Sequence, residues 1–179
     1  MAATRLDGAA IAADLLSRLK ARIATLSERG IKPGLAAILI GDNPASQIYI
    51  RNKERACSAA GVHSEVHRLA HDCTDDEVLA TIRRLNADPR IHGVLLQLPL
   101  PPQLSAERLL QSIDPAKDVD GFNWVNLGAL VAGRAHLAPC TPLGVMAMLD
   151  HANVALEGRS AVVVGRSAIV GKPLALMLI

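Results

Sequence analysis

Apolar residues recur every three or four positions in the first part of the sequence. Between residues 9 and 29 this spacing, followed by Gly30 as a stop signal, predicts an amphipathic helix. Residues 35–41, LAAILIG, instead form a continuous apolar run that ends in glycine, which is typical of a buried strand. The chain is therefore expected to open with a helix followed by a strand.

Helical patterns and short apolar runs continue to alternate along the rest of the chain. Further strands are predicted at 62–70, at the start of 93–101, and at 160–165. Further helices are predicted at about 46–60, 74–86, 105–113, 124–132, 142–151 and from 168 onward. This order predicts an α/β fold with a mainly parallel sheet. A new strand–glycine–helix unit follows residue 140, so we expect one domain over 1–140 and the beginning of a second over 141–179.

Two of the predicted helices begin with recognisable capping residues. Thr74 and Glu77 have the spacing of a capping box, in which each side chain bonds the backbone N–H of the other residue. Thr141 followed by Pro142 predicts an N-cap and a proline in the first helical position.

Composition and charge fit a buried α/β core and argue against nucleic-acid binding. Half of the 179 residues are apolar, but only 2% are aromatic. The formal net charge is +2 and neither sign forms a long run, so the basic stripe and stacking aromatics of a nucleic-acid site are missing.

The cysteines and the N-terminal segment bear on cellular location. Cys57, Cys73 and Cys140 form no CxxC pair and are odd in number, which favours a reducing compartment. No run of about 18 apolar residues occurs, and acidic residues interrupt the first segment, so neither a membrane span nor a signal peptide is predicted. We expect a soluble, cytoplasmic protein.

Two positions stand out as candidates for chemistry. Tyr49 and Lys53 are four residues apart in a predicted helix, which places them on one face, one turn apart. A surface lysine lying over a half-buried tyrosine would also explain this spacing. Gln97 interrupts the apolar run VLLQLPLP near the carboxyl end of a predicted strand, where α/β sheets bind ligands. A hydrogen-bonded structural glutamine is the alternative there.

Evenly spaced histidines and paired aspartates do not predict a metal site. On a strand the four-residue steps between His63, His67 and His71 span about 13 Å, whereas zinc needs its nitrogens about 2 Å from one point. Asp118 and Asp120, in KDVDGF, are interpreted by default as a solvated turn, because the segment lacks an EF-hand pattern. We therefore expect no metal.

The strongest local signal is VVVGRSAIVGKP at 162–173. A β-branched run is followed by Gly165, Ser167 and Gly171 before a helix, which is similar to the dinucleotide-binding fingerprint. Gly165 would allow a tight turn, Gly171 would allow close packing of the helix, and the helix N-terminus would attract a pyrophosphate. Arg166 could pair with a ribose 2′-phosphate, which favours NADP over NAD. Many such turns bind no nucleotide, and the motif alone leaves that alternative open.

Five segments, taken in order, resemble one enzyme family. They are GDNPASxxYxxxK, GVLLQLPLP, PxKDVDGF, PCTPxGV and VVVGRSxIVGKPLA. In all of them the chain is similar to the bifunctional methylenetetrahydrofolate dehydrogenase/methenyltetrahydrofolate cyclohydrolases. The resemblance implies an N-terminal α/β folate-binding domain with a mainly parallel sheet, followed by the start of a Rossmann-like NAD(P)-binding domain. It also implies oxidation of 5,10-methylenetetrahydrofolate with NADP and hydrolysis of the methenyl product to 10-formyltetrahydrofolate.

The resemblance also assigns roles to individual residues of the folate site. Tyr49 would stack on the folate, Lys53 would be the principal catalytic residue, and Gln97 would assist it. Pro99, in the QLPLP motif, would contact the substrate, and Asp120 would hold the pterin ring. These residue types suit the chemistry, because a lysine can transfer protons when its surroundings favour the neutral amine.

The cofactor and partners follow from the same resemblance. NADP, with NAD less favoured, would be held by residues of the second domain, namely Thr141, Gly165, Arg166, Ser167 and Gly171. Tetrahydrofolate derivatives and a second copy in a homodimer are the expected partners, with no nucleic acid or membrane. Family members continue past the point where this chain stops, so we expect the 179 residues to be part of a longer protein. A cyclohydrolase without dehydrogenase activity and a non-catalytic folate-binding fragment are the alternatives.

Overall fold

The computed structural model describes residues 5–179, which divide into two compact units. One unit contains Leu19–Val119, and the other contains the residues up to Arg18 together with Asp120–Ile179. Within the described part of the chain, no helix is both long enough and apolar enough to span a membrane.

A parallel sheet of three strands lies at the centre of the Leu19–Val119 unit. The strands are β1 (Gly34–Ile40), β2 (His63–Leu69) and β3 (Gly93–Leu96). Their order is β2-β1-β3, with β1 pairing in parallel with both neighbours. The predicted α/β fold with a parallel sheet is thereby confirmed. β3 is shorter than the apolar run that predicted it, because the prolines that follow cannot donate hydrogen bonds to a sheet.

Helices precede, connect and follow these strands. They are α1 (Gly8–Glu28), α2 (Pro44–Ala60), α3 (Asp75–Ala87) and α4 (Ala106–Gln111). Each lies close to the position predicted from the hydrophobic pattern, because each carries an apolar stripe at helical spacing.

Local sequence signals fix the ends of α2 and α3. The side chain of Asn43 caps α2 by accepting a hydrogen bond from the amide of Ser46 at 3.1 Å. Gly61 ends that helix in the left-handed conformation, with φ of 83°. The predicted capping box of α3 is confirmed, since the Thr74 amide donates to the Glu77 carboxylate at 2.7 Å and the Thr74 hydroxyl accepts from the Glu77 amide at 3.4 Å.

Both faces of the sheet are covered, which is why β1 is almost continuously apolar. On one face Ile38 belongs to a core that includes Leu85 of α3 and Leu109 of α4, all of them 0% exposed. On the other face Leu39 packs in a smaller core with Ile50 of α2. This smaller core anchors α2, the helix that carries Tyr49 and Lys53.

The other unit contains further helices and one departure from the predicted caps. Its helices after residue 120 are α5 (Trp124–Val131), α6 (Cys140–His151) and α7 (Gly171–Met177). Pro139 is the residue before α6, and no side chain caps the helix. The prediction of Thr141 as N-cap was wrong, because the fixed φ of Pro139 already directs Cys140 into the helix.

The predicted strand at 160–165 was also wrong. These residues have no assigned strand conformation, and Val162 and Val164 are 89% and 97% exposed. A strand exists only where a neighbouring strand accepts and donates its backbone hydrogen bonds, and among residues 5–179 the structure provides none here. The helix that follows starts at Gly171, three residues later than predicted.

Candidate active site

Lys53 and Gln97 meet in the Leu19–Val119 unit. The Lys53 Nζ donates to the Gln97 Oε1 at 3.2 Å. Gln97 directly follows β3, and its backbone N–H still donates to the Ile38 carbonyl at 2.9 Å, as a strand residue would. Ile50, which is fully buried, fixes α2 against the sheet one turn before Lys53. The strand end and the helix therefore bring the two predicted residues together.

The amide of Gln97 has a defined orientation. Its Nε2 donates to the carbonyl of Leu98 at 2.7 Å. Because the nitrogen end of the amide is used in this way, the oxygen end is the one that faces Lys53. The neutral amide thus orients the amine without adding a charge beside it.

Tyr49 lies one helical turn before Lys53 and is 61% exposed. The alternative explanation, a half-buried tyrosine covered by a surface lysine, does not fit, because Lys53 is the half-buried member of the pair. An exposed aromatic ring beside a hydrogen-bonded amine is a surface on which a flat ligand can stack.

A cavity of about 400 Å³ opens at the carboxyl ends of β1 and β3. Pro99, which follows a cis peptide bond after Leu98, lines it. Asp42 and His71 supply its titratable side chains. The cavity lies at the end of the sheet where ligands bind in α/β folds.

The two aspartates of KDVDGF differ in their surroundings. Asp118 is 1% exposed and forms a parallel bridge with Val94 of β3, so the interpretation of both aspartates as a solvated turn was wrong for Asp118. The sequence pattern could not reveal this, because the partner strand is distant along the chain. Asp120 is half-buried and is the first residue of the other unit, and its role in holding a pterin stays a prediction.

The glycine turn before α7 is compact. The Ser167 Oγ accepts hydrogen bonds from the amides of Val170 and Gly171, each at 3.2 Å. A Cβ on Gly171 would overlap the carbonyl of Gly165, which itself has φ of 137°. Both glycines are therefore required by the turn. Ser167 serves as a cap of this turn, and the predicted role of these residues in cofactor binding stays a prediction.

Two further predicted cofactor residues lie on exposed positions of the same unit. Arg166, next to Gly165, is exposed, which leaves its guanidinium accessible to an anion. Thr141 is exposed on the first turn of α6.

The two histidines of β2 form hydrogen bonds with Glu65, a residue that no sequence motif indicated. The Nε2 atoms of His63 and His67 lie 2.9 Å and 3.2 Å from the two oxygens of Glu65. The hydrogen bond with His63, followed by that with His67, lowers the pKa of Glu65. His71 lies outside this strand, in the cavity beside Pro99. Across residues 5–179 no group of three or more metal-ligating side chains is placed to hold a metal ion.

One contributor to the site was missed in the sequence because it is a backbone group. The carbonyl of Leu98 orients the Gln97 amide, and no side-chain pattern signals such a contact. The run of prolines after Gln97 marks an irregular strand end but does not show which carbonyl turns toward the amide.

Family models match most of the chain. Residues 6–120 match the tetrahydrofolate dehydrogenase/cyclohydrolase catalytic domain, and residues 139–179 match the NAD(P)-binding domain of the same enzymes. The first match alone covers more than half of the 179 residues.

Individual relatives agree with these matches. The bifunctional protein FolD of Nitrosospira multiformis is 49% identical over 179 residues, which are 100% of this chain and 62% of that protein. The crystal structure of the bifunctional enzyme FolD from Campylobacter jejuni superposes with a TM-score of 0.97 at 47% identity, covering 99% of this chain and 63% of that one. A Trypanosoma brucei methylenetetrahydrofolate dehydrogenase-cyclohydrolase, complexed with NADP and an inhibitor, gives a TM-score of 0.94 at 34% identity, covering 98% and 61%.

The chain spans about three fifths of the length of the relatives that it matches. The family models and the individual relatives both confirm the resemblance that the five sequence motifs indicated. The chain belongs to the tetrahydrofolate dehydrogenase/cyclohydrolase family.

Proposed function

We propose that the protein oxidises 5,10-methylenetetrahydrofolate with NADP and hydrolyses the methenyl product to 10-formyltetrahydrofolate, as a bifunctional enzyme of one-carbon metabolism. The observation that carries this proposal is the contact of Lys53 with Gln97 at the carboxyl end of the sheet, beside the exposed ring of Tyr49. Family membership supports the choice of a folate as the substrate.

In the hydrolytic step, water adds to the electron-poor methenyl carbon. One O–H proton must leave as the C–O bond forms. One C–N bond must then break with a proton delivered to its nitrogen, while the remaining O–H proton passes to solvent as the formyl C=O bond forms. The amine of Lys53 can accept the first O–H proton and deliver it to that nitrogen. Gln97, held by the Leu98 carbonyl, keeps that amine in place through its amide oxygen. Tyr49 would stack on the folate, while Pro99 and Asp120 would contact the substrate and its pterin ring.

For the oxidative step, NADP supplies the hydride acceptor when bound. Gly165, Ser167 and Gly171 fit such a group, because they form a turn stabilised by the Ser167 hydroxyl. In this turn Gly165 has φ of 137°, and a Cβ on Gly171 would overlap the Gly165 carbonyl. Arg166 would pair with the ribose 2′-phosphate, which favours NADP over NAD. Thr141 would provide a further polar contact to the cofactor.

The proposal extends to organisation and location. We assign the folate-binding catalytic domain to residues 1–140 and the beginning of the NAD(P)-binding domain to 141–179, supported by family matches over 6–120 and 139–179. Tetrahydrofolate derivatives and a second copy of the chain would be its partners. No disulfide bond joins Cys57, Cys73 or Cys140 within residues 5–179, which supports a location in the cytoplasm.

The test is cyclohydrolase turnover, followed as the loss of methenyltetrahydrofolate absorbance. Lys53→Met keeps most of the apolar stem but removes the amine, and we expect it to lower kcat by roughly 100- to 10,000-fold, the usual contribution of a proton-transfer group. Lys32→Met, at an exposed lysine of the same unit, is the matched control and should retain full turnover. Equal turnover in the two variants would contradict the proposal.

A further inference from the structure

A second cavity of the Leu19–Val119 unit lies at the amino ends of the strands. Its volume is about 490 Å³, and its lining includes Ile31, Lys32, His63, Pro89, Arg90 and His92. β2 begins at His63, and His92 directly precedes β3. Because the three strands are parallel, their amino ends lie together, at the opposite edge of the sheet from the contact between Lys53 and Gln97. This cavity is therefore separate from the proposed folate site.

Two hydrogen bonds fix the position and the tautomer of His92. The His92 amide donates to the Gly34 carbonyl at 2.8 Å, and the Gly34 amide donates to the His92 Nδ1 at 3.1 Å. An Nδ1 that accepts a hydrogen bond carries no proton, so the proton of the neutral ring is on Nε2. His92 thus contributes one N–H donor, at Nε2, to the lining of the cavity.

Arg90 is held in place by Asp88. Its Nε and Nη2 donate to the two carboxylate oxygens of Asp88 at 3.1 Å and 2.7 Å, which leaves Nη1 outside this pair. A Cβ on Gly34 would overlap the Arg90 carbonyl, so the loop that carries Arg90 packs closely against the start of β1. The guanidinium is therefore oriented in the protein itself, which lowers the entropic cost of binding a ligand there.

The charges of the cavity favour a negatively charged ligand. Among the described residues that line it, Lys32 and Arg90 are cations and none is a carboxylate. Two carboxylates that neighbour the lining already have partners, since Asp88 bonds Arg90 and Glu65 bonds the His63 Nε2 at 2.9 Å. Lys32 belongs to neither pair and is exposed. A cleft lined by one sign of charge attracts ligands of the opposite sign.

The arrangement of the donors distinguishes between kinds of anion. A carboxylate binds an arginine best through two parallel hydrogen bonds, and Asp88 already occupies that edge of Arg90. The remaining donors are single groups on separate segments, namely the Lys32 ammonium, the Arg90 Nη1 and the His92 Nε2. A phosphate has three terminal oxygens, so it can accept from separate donors at the same time.

We propose that this cavity binds a small phosphate monoester. Its phosphate contacts Lys32, Arg90 and His92, and its organic group lies against the apolar side chains of Ile31 and Pro89. The volume of about 490 Å³ exceeds the needs of a bare phosphate and is in the usual range for sites of small organic ligands. The inference concerns a site apart from Lys53 and does not rest on the proposed function.

The test uses phenyl phosphate as the probe and the full-length protein. The NMR signal of the Gly34 amide reports on the cavity directly, because that amide bonds the His92 ring. We expect this signal to shift in a saturable way, and the shift gives a local Kd that binding at the glycine turn does not affect. Lys32→Met should raise this Kd about tenfold or more, since a hydrogen bond to a charged group is lost. Lys20→Met, at an exposed lysine of α1 in the same unit, is the matched control and should leave the Kd unchanged.

Two further probes examine the chemical class of the ligand. Benzoate presents a carboxylate on the same aromatic ring, and inorganic phosphate lacks the ring, so both should bind about tenfold or more weakly than phenyl phosphate. Equal affinity for benzoate would overturn the assignment to a phosphate, and equal affinity for inorganic phosphate would overturn the assignment to a monoester.

The site itself would be overturned by a Gly34 signal that does not shift, or by equal Kd values in Lys32→Met and Lys20→Met. If Lys32→Met does not fold, His92→Asn takes its place, because asparagine keeps an acceptor for the Gly34 amide but lacks the Nε2 donor. A folded His92→Asn protein with an unaltered Kd would overturn the proposal, and a Kd raised about tenfold would support it.

Discussion

The amine of Lys53 lies 3.2 Å from the amide oxygen of Gln97, although 44 residues separate them in the sequence. The contact exists because α2 and β3 are both fixed to β1, one through the apolar core and the other through the sheet. Gln97 is itself oriented by the Leu98 carbonyl, so the position of the amine depends on a chain of two hydrogen bonds.

Replacing Gln97 by alanine should lower cyclohydrolase kcat by about tenfold, the equivalent of ~1.4 kcal/mol for one lost hydrogen bond to an amine. The loss should be smaller than in Lys53→Met, because the amine remains present but less well oriented. Steady-state kinetics on both variants would measure this ranking. Gln47→Ala is the matched control, because Gln47 lies on α2 with Lys53 and its side chain donates to the Asp42 carbonyl. A Gln97→Ala enzyme as slow as Lys53→Met would show that the glutamine does more than orient the amine.

Replacing Tyr49 by alanine should raise KM for the folate substrate and change kcat little. Loss of a stacking contact costs about 0.5–1.5 kcal/mol, which corresponds to roughly a 2- to 10-fold change. Because the ring is 61% exposed, the variant should fold normally. Tyr49→Phe keeps the ring and should behave like the unaltered enzyme. Equal KM values in the alanine and unaltered proteins would argue against stacking at this position.

Replacing Gly171 by alanine should weaken NADP binding in the full-length protein, because the added Cβ would overlap the Gly165 carbonyl and open the turn before α7. Cyclohydrolase turnover should be retained, since Lys53 and Gln97 lie in the Leu19–Val119 unit and Asp120 is not part of the turn. Isothermal titration with NADP would measure the first effect and the absorbance assay the second. Gly128→Ala, at a helical glycine with open space around it, is the control. Tight NADP binding by Gly171→Ala would refute the role of the glycine turn.

Replacing Thr74 by alanine should lower the free energy of unfolding by about 0.5–2 kcal/mol, because the capping box at the start of α3 is lost. Urea denaturation would measure the change. Thr81→Ala on the same helix removes a hydroxyl that bonds only the Glu77 carbonyl within its own helix, and it should have little effect. A destabilisation of equal size in both variants would contradict a specific contribution of the cap.

The pair formed by Asp88 and Arg90 predicts a pH dependence of stability. Hydrogen bonds from the Arg90 side chain and then its backbone lower the pKa of Asp88 from 3.8 to about 2. The Asp88 carboxyl therefore stays ionised to a lower pH in the folded protein than in the unfolded chain. Its stabilising effect is complete above pH 3.8 and is lost as the pH falls toward 2.

Asp88→Asn should therefore destabilise the protein at pH 7 and lose that effect near pH 2. Denaturation midpoints at several pH values would follow the change. In an Arg90→Met background the pH dependence of the substitution should be reduced, since the largest cause of the shift is the Arg90 side chain. A difference between Asp88→Asn and the unaltered protein that stays constant from pH 7 to pH 2 would contradict this assignment.

Features that depend only on residues close together along the chain were determined by the sequence itself. The alternation of helices and strands follows from hydrophobic spacing, and the capping box at Thr74 follows from two residues three positions apart. The glycine turn before α7 is likewise local, because Gly165 and Gly171 satisfy the backbone conformation and packing of one short segment. The family was recognisable for the same reason, since its motifs are short and occur in a fixed order.

Only the tertiary structure decided the contacts between segments that are distant along the chain. It placed Gln97 against Lys53, buried Asp118 beside β3, and directed Lys117 to three backbone carbonyls at and just after the end of α3. It also left 160–165 without strand conformation, because a strand requires hydrogen-bonding neighbours and no local pattern can supply them. Local propensity thus selected the elements, while packing of the sheet and its helices determined which polar groups meet at its carboxyl end.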